Sequence, residues 1–401
     1  MTPAARVQAA IEVLDAVIDA AKAEGAPADR ILADYFRARR YAGSKDRRAV
    51  RELVYGAIRA LGPVPGNGRD AMLAYGRADP AHHHLLDLFD GSPHGPAPIE
   101  APLTDNGAIE ARPGLAPDWL VAALARSGVA GEAAAALMGR APLDLRVNTL
   151  RTDRASLDLP EPGEPLAAPQ GLRFASGTRA EEWEAYAQGL VEVQDHGSQL
   201  ACLAAAARPG EMVVDLCAGA GGKSLALAAA MENAGRLIAC DTDKRRLGNL
   251  APRAARAGAG LIEPRLLDPG REREALGDVA GKADLVLVDA PCSGTGTWRR
   301  KPEAKWRLTP RALRGYAALQ DRLLDIAAAL VKPGGRIVFV TCSLLDEEGA
   351  QRACAFLSRH EGFAARPVNL PLGTARGEGW RLEPLRDGTD GFFIAILARP
   401  C

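Results

Sequence analysis

Two cysteines in this 401-residue chain stand where a nucleophile would be useful. Cys292 follows the run Leu287-Val288-Asp289-Ala290-Pro291 and opens the glycine-rich turn Ser293-Gly294-Thr295-Gly296. Cys342 follows Ile337-Val338-Phe339-Val340-Thr341, an apolar run rich in β-branched residues. A thiolate becomes a good nucleophile when a helix N-terminus or a cation lowers its pKa. Attack on carbon 6 of a cytosine ring would make carbon 5 nucleophilic enough to accept a methyl group, which is covalent catalysis. That chemistry also needs a group at ring nitrogen 3, for which Asp289 is suited, and a base or water to take the carbon 5 proton. The residues alone leave open which thiol attacks. A lone cysteine is more commonly a small buried residue, and Cys202, Cys217, Cys240 and Cys354 are read that way, with Cys401 simply the terminus.

A third element is the loop Asp215-Leu-Cys217-Ala218-Gly219-Ala220-Gly221-Gly222-Lys223-Ser224. Its glycines let backbone approach a ligand, and the helix it opens offers free N–H groups. It departs from a P-loop, whose first glycine is replaced by Cys217, and from a dinucleotide fingerprint, whose third glycine is replaced by Ser224. S-Adenosylmethionine is the remaining reading. The acids downstream favour it: Asp241, Asp268 and Asp289 each end an apolar run, where they could meet ribose hydroxyls, an adenine amino group and the reacting centre. Helix capping is the alternative role for Asp241 and Asp268.

These groups need a frame. From about residue 197 strand-like runs (MVVDLC, RLIACD, PRLLD, ADLVLVDAP, GGRIVFVTCS, DGFFIAILARP) alternate with helical ones. Alternation of this kind predicts an α/β fold, a mostly parallel sheet covered on both faces, with ligands beyond the carboxyl ends of its strands. Residues 139–196 read as a small α+β segment containing PLDLRVNTLR and GLVEVQD. Residues 1–138 read as helical, with Val7, Ile11, Leu14 and Ile18 at helical spacing, irregular between 77 and 116, and helical again at APDWLVAALARSG. The run His82-His83-His84 has no carboxylate or cysteine at ligand spacing, so no metal is expected.

Composition sets the setting. At 47% hydrophobic and 25% charged residues, with seven cysteines and no C-x-x-C, the chain reads as a reduced cytoplasmic protein. No apolar run is long enough to span a membrane, the N-terminus lacks a signal-peptide core, and nothing demands more than a monomer. Net charge is zero, but Phe36–Arg51 carries seven basic residues against one acid. Trp298–Arg307 carries five against Glu303, with two tryptophans among them. Basic, aromatic stretches suit a phosphate backbone and stacked bases, so Arg299, Arg300 and Lys305 are expected to hold substrate.

The series Asp215-Leu-Cys-Ala-Gly-Ala-Gly-Gly-Lys223, Asp289-Ala-Pro-Cys-Ser-Gly-Thr-Gly296, Arg299-Arg-Lys-Pro-Glu-Ala-Lys-Trp306 and Thr341-Cys-Ser343 resembles the ordered motifs of the RsmB/NOP (Sun) family of RNA 5-methylcytosine methyltransferases. The likeness covers about 140–401. It implies a Rossmann-like domain (197–401) that binds S-adenosylmethionine through the Cys217–Lys223 loop, Asp241, Asp268 and Asp289. It implies further that Cys342 is the nucleophile and that Cys292 acts in product release. Residues 1–138 more distantly resemble the NusB-like RNA-binding domain of ribosomal members, which favours small-subunit ribosomal RNA as substrate and leaves transfer RNA open. Two departures stand out: Gly219-Ala220 replaces the family's Ala-Pro, and Lys301 stands where histidine is usual.

Overall fold

The computed structural model describes residues 1–23, 25–99 and 111–401. These form two compact units, one of residues 1–139 with 298–309, the other of residues 140–297 with 310–401.

The first unit is helical. Its main helices are Pro3–Lys22, Ala28–Ala38, Ser44–Ala60, Gly68–Ala78 and Asp118–Arg126. Thr2 caps the first by accepting from the amide of Ala5 at 3.2 Å. The stripe foreseen at three-to-four spacing is buried: Val7, Ile11, Leu14 and Ile18 are all covered, and Val17 joins them. His82 and His84 are engaged locally, with Tyr75 Oη at 2.9 Å and the Ala81 carbonyl at 3.0 Å. Among the described residues no cluster suited to a metal occurs. Part of the irregular 77–116 stretch, residues 100–110, lies outside the described residues.

The segment 298–309 corrects an expectation. Sequence reading placed it in the catalytic domain as a basic, aromatic surface, but it is built into the helical unit. Trp298 is fully buried, Trp306 is 4% exposed, and the Trp306 indole donates to the Gly62 carbonyl at 3.2 Å. Lys305 is fully buried as well; its ammonium donates to the Leu115 carbonyl at 2.9 Å. Arg307 donates to the carbonyls of Gly25 and Ala26, and Glu303 accepts from the Ala28 amide at 3.2 Å. The amphipathic periodicity of a short, basic stretch does not reveal that its aromatics fill a core, and the lysine stem follows them inward. Lys305 therefore has no surface to offer RNA. Arg299 is 8% exposed and Arg300 is half-buried.

The second unit contains two sheets. A small antiparallel one has strands β1 (Leu143–Val147), β2 (Glu164–Pro165), β3 (Gly171–Phe174) and β4 (Val191–Val193) in the order β2-β3-β1-β4. The large sheet contains β5 (Met212–Asp215), β6 (Arg236–Asp241), β7 (Ile262–Leu266), β8 (Ala283–Asp289), β9 (Val331–Thr341), β10 (Ala364–Arg366), β11 (Thr374–Arg376), β12 (Gly379–Leu382) and β13 (Phe392–Ala398). Its order is β11-β12-β13-β9-β8-β5-β6-β7, with β10 on β13. The five strands from β9 to β7 are parallel, and β13 joins β9 antiparallel. Central strands are buried on both faces, as in Leu285 to Val288 and Ile337 to Val340, which a parallel sheet sandwiched by helices requires.

The strand order reverses between β5 and β8. From β5 the chain builds outward through β6 and β7, then crosses to β8 on the other side. Such a switch point opens a crevice beyond the carboxyl ends of the strands. Asp215, Asp241 and Asp289 are the last residues of β5, β6 and β8, and Cys342 directly follows β9. Asp268 lies two residues past the end of β7, in the turn after it rather than at the strand end.

Candidate active site

The loop after β5 turns sharply. Gly219 and Gly221 have φ of +57° and +84°, a left-handed conformation that favours glycine. A Cβ at Gly221 would stand 2.0 Å from Leu250 Cδ1, whereas one at Gly222 would meet nothing within 4 Å. The loop is thus clamped behind and open in front of the helix Gly222–Ala230. Asp241 holds the turn from the next strand, accepting from the Gly219 amide at 2.7 Å and from the Asp243 amide at 2.7 Å.

Asp215 is fully buried. Burial pushes its carboxyl up to about 7, against the opposing hydrogen bond from Ser224 Oγ at 2.6 Å. Its Oδ1 has no partner among the described residues. Lys223 lies beside it and donates to Asp289 Oδ2 at 2.6 Å. Burial disfavours the Lys223 ammonium, but the Asp289 carboxylate outweighs it and the lysine pKa rises. Its ammonium also stands 5.6 Å from the centre of the Phe392 ring. The space in front of Gly222 is open, and the carboxyl of Asp268 is exposed.

The two thiols meet. Cys292 Sγ and Cys342 Sγ are 3.3 Å apart, both half-buried. Parallel pairing of β8 with β9 sets Asp289 beside Val340 and carries the next turns side by side. The Gly296 amide then donates to the Cys342 carbonyl at 3.0 Å. The contact with Cys342, together with burial, pushes the Cys292 thiol well up, so it keeps its proton at neutral pH. Burial likewise raises Cys202 to about 11 and Cys240 to about 12, as inert structural thiols require.

Sequence reading missed the group that ties the thiol turns together. Glu348 is fully buried and accepts from the Ser293 amide at 2.8 Å, from Ser293 Oγ, and from Gln320 Nε2 at 3.3 Å. The hydroxyl of Ser343 joins the same cluster, 3.2 Å from Ser293 Oγ and 3.1 Å from Thr295 Oγ1. Burial raises the Glu348 carboxyl against these hydrogen bonds. Glu348 stands in the acidic run Asp346-Glu347-Glu348, which reads as solvated surface; nothing in its spacing marks one member as internal.

The family profile described as 16S rRNA methyltransferase RsmB/F matches residues 202–398. A ribosomal RNA small subunit methyltransferase B of Citrobacter koseri is 33% identical over 308 residues, 75% of this chain and 70% of that protein. The chain belongs to the RsmB/F family. A relative of the same name from Thermus thermophilus is 40% identical over 210 residues, 52% of this chain and 50% of its own length. The chain spans about half to two thirds of the length of such relatives, at 50%, 60% and 66% for three of them. The crystal structure of PH0851 has the same fold at a TM-score of 0.75 and 24% identity, covering 98% of this chain and 99% of that one. That of NSun6 from Pyrococcus horikoshii with SFG follows at 0.59 and 21%, covering 71% and 98%. Both thiols, the glycine loop from Cys217 onward, and Asp241, Asp268, Asp289 and Glu348 fall inside the stretch matched by the RsmB/F profile.

Proposed function

We propose that this protein methylates carbon 5 of cytosine in RNA, with small-subunit ribosomal RNA as substrate and S-adenosylmethionine as donor. The observation that carries this reading is the 3.3 Å approach of two thiols beside the Lys223–Asp289 pair at a strand-order switch. The alternative, a non-catalytic RNA-binding ribosome-assembly protein, would not require two sulfurs brought together at strand ends.

S-Adenosylmethionine, when bound, supplies the methyl group. The Cys217–Lys223 loop, Asp241, Asp268 and Asp289 are the residues proposed to hold it. Cys342 Sγ attacks carbon 6 of the cytosine, forming a sulfur–carbon bond and placing electron density on carbon 5. As charge builds at ring nitrogen 3, a proton reaches it through Asp289, which receives one in turn from Lys223, its partner at Oδ2; the proton returns when Cys342 leaves. Once carbon 5 carries the methyl group, a base takes its proton, either a water or Cys292 in its thiolate form, the carbon 5–6 double bond reforms, and Cys342 leaves as the thiolate. All seven cysteines are free and no described helix is long and apolar enough to cross a membrane. Both features suit a cytoplasmic enzyme, which we take to act as a monomer.

Incubation of the purified chain with labelled donor and protein-free 16S ribosomal RNA, with total transfer RNA in parallel, tests the reading. Label in 5-methylcytosine of the ribosomal RNA is expected; label only in transfer RNA would move the substrate, and label in neither would end the proposal.

A further inference from the structure

Arg146 lies in β1, directly across from Glu192 in β4. Alternation along β1 sends Leu145 and Val147 into the core of the small sheet and Asp144 and Arg146 to the other face. Asp144 is saturated there, accepting from Arg173 Nε at 2.7 Å, Arg173 Nη2 at 2.9 Å and the His196 amide at 3.1 Å. Arg146 is not. It is 6% exposed, yet its hydrogen bonding among the described residues is limited to Nε and Gln194 Oε1 at 2.7 Å.

The carboxylate that should neutralise it is committed elsewhere. Glu192 binds Arg253 at 2.8 Å and also Arg256. Three guanidiniums therefore share one carboxylate. Beyond Gln194, Arg146 makes no hydrogen bond among the described residues, and a small part of its surface, 6%, remains exposed. A buried guanidinium with unmet donors is costly unless an anion arrives, and its planar fork matches a phosphate through two parallel hydrogen bonds.

Its location is also informative. Gln194, which holds Arg146, reaches Cys202 Sγ at 3.7 Å and the Gly222 carbonyl at 3.5 Å, next to Lys223. After burial itself, Lys223 and Arg146 are the two cations that act on the Cys202 thiol. Arg146 thus opens beside the first turn of the helix that carries the donor loop. It stands on the small sheet rather than on the nucleotide-type sheet, the side left to the second reactant.

We propose that Arg146 binds a backbone phosphate of the substrate RNA next to the target nucleotide. This inference rests on the RNA reading above.

The test uses the full chain, 16S ribosomal RNA transcript, and the variants Arg146→Met and Arg146→Lys. For Arg146→Met the KM for RNA should rise about tenfold to a hundredfold, the loss of one charge-assisted contact. The dependence of log KM on log salt should flatten by about one phosphate contact. Binding of S-adenosylhomocysteine, measured by calorimetry, should stay within about twofold. Arg146→Lys should keep the salt dependence and recover only part of the KM. Wild-type KM and salt dependence in Arg146→Met would overturn the proposal. So would a defect found wholly in S-adenosylhomocysteine binding, which would assign the anion to the donor's carboxylate. Should Arg146→Met fail to fold, Arg146→Lys decides alone: an unchanged KM for RNA excludes a fork on phosphate. A wild type that methylates no RNA overturns the RNA reading first, independently of any Arg146 variant.

Discussion

The sulfurs of Cys292 and Cys342 lie 3.3 Å apart, although fifty residues separate them along the chain. Neither is on a flexible tip. Each follows a central parallel strand, and Glu348 and Ser343 bind the two turns together. In the proposed mechanism the two act in sequence on one ring.

The roles of the two thiols are separable. Cys342→Ala should lower methyl incorporation more than about a thousandfold and form no RNA adduct, since the attacking atom is gone. Cys292→Ala should instead accumulate a covalent RNA–protein species, visible as a slow band on a denaturing gel. An adduct that depends on Cys292 and survives loss of Cys342 would reverse the assignment.

Glu348 should matter to stability and to alignment. Glu348→Ala removes the acceptor for both Ser293 donors and Gln320 from a buried site, with an expected loss of about 2–4 kcal/mol in urea unfolding. Glu348→Gln retains one acceptor oxygen and should lose less. If Glu348→Ala were as stable as wild type, the buried network would have no structural role.

Asp215 predicts a pH dependence of stability. Its folded pKa, raised by burial to about 7, exceeds the unfolded value of 3.8, so the folded chain keeps a proton that the unfolded chain has lost. Stability therefore falls as pH rises from about 4 to 7, by up to about 1.4 kcal/mol per pH unit from this group. Asp215→Asn, which cannot ionise, should flatten that decline. An unchanged slope in chemical denaturation across pH 4–7 would contradict the burial argument.

Lys305 has the opposite sign. Burial first, then Arg59, lowers its pKa to about 7 from 10.5, so between those values the unfolded chain binds more protons than the folded one. Stability should rise with pH across that window, and Lys305→Met should flatten the rise and stabilise the protein at pH 7. RNA affinity of this variant should equal that of wild type. A clear loss of RNA binding without unfolding would restore the role first read from the sequence.

Much of the catalytic unit could be read directly from the chain. Apolar runs ending on Asp215, Asp241, Asp289 and Cys342 identified four parallel strands and put their chemistry at one edge, because a strand buried on both faces must be continuously apolar. The glycines of the loop were visible as points of close backbone approach, while the left-handed conformation of Gly219 and Gly221 came from the structure. The segment 298–309 was misread for the converse reason. Charge and aromatic content describe composition, not which side of a short helix is covered, and a lysine stem packs as readily as it extends.

The sequence by itself determined the class of fold, the family, and the set of groups able to do the chemistry, since each depends on local residue types and their order. Only the tertiary structure decided which of them touch. Two cysteines fifty residues apart become one site because β8 and β9 pair in parallel register. Glu348 becomes internal because its turn folds back between those strands' ends. Arg146 is left short of acceptors because Glu192 is taken by Arg253 and Arg256 from a distant helix. Contacts between remote segments are set by packing and register, and single-chain spacing carries no direct record of either.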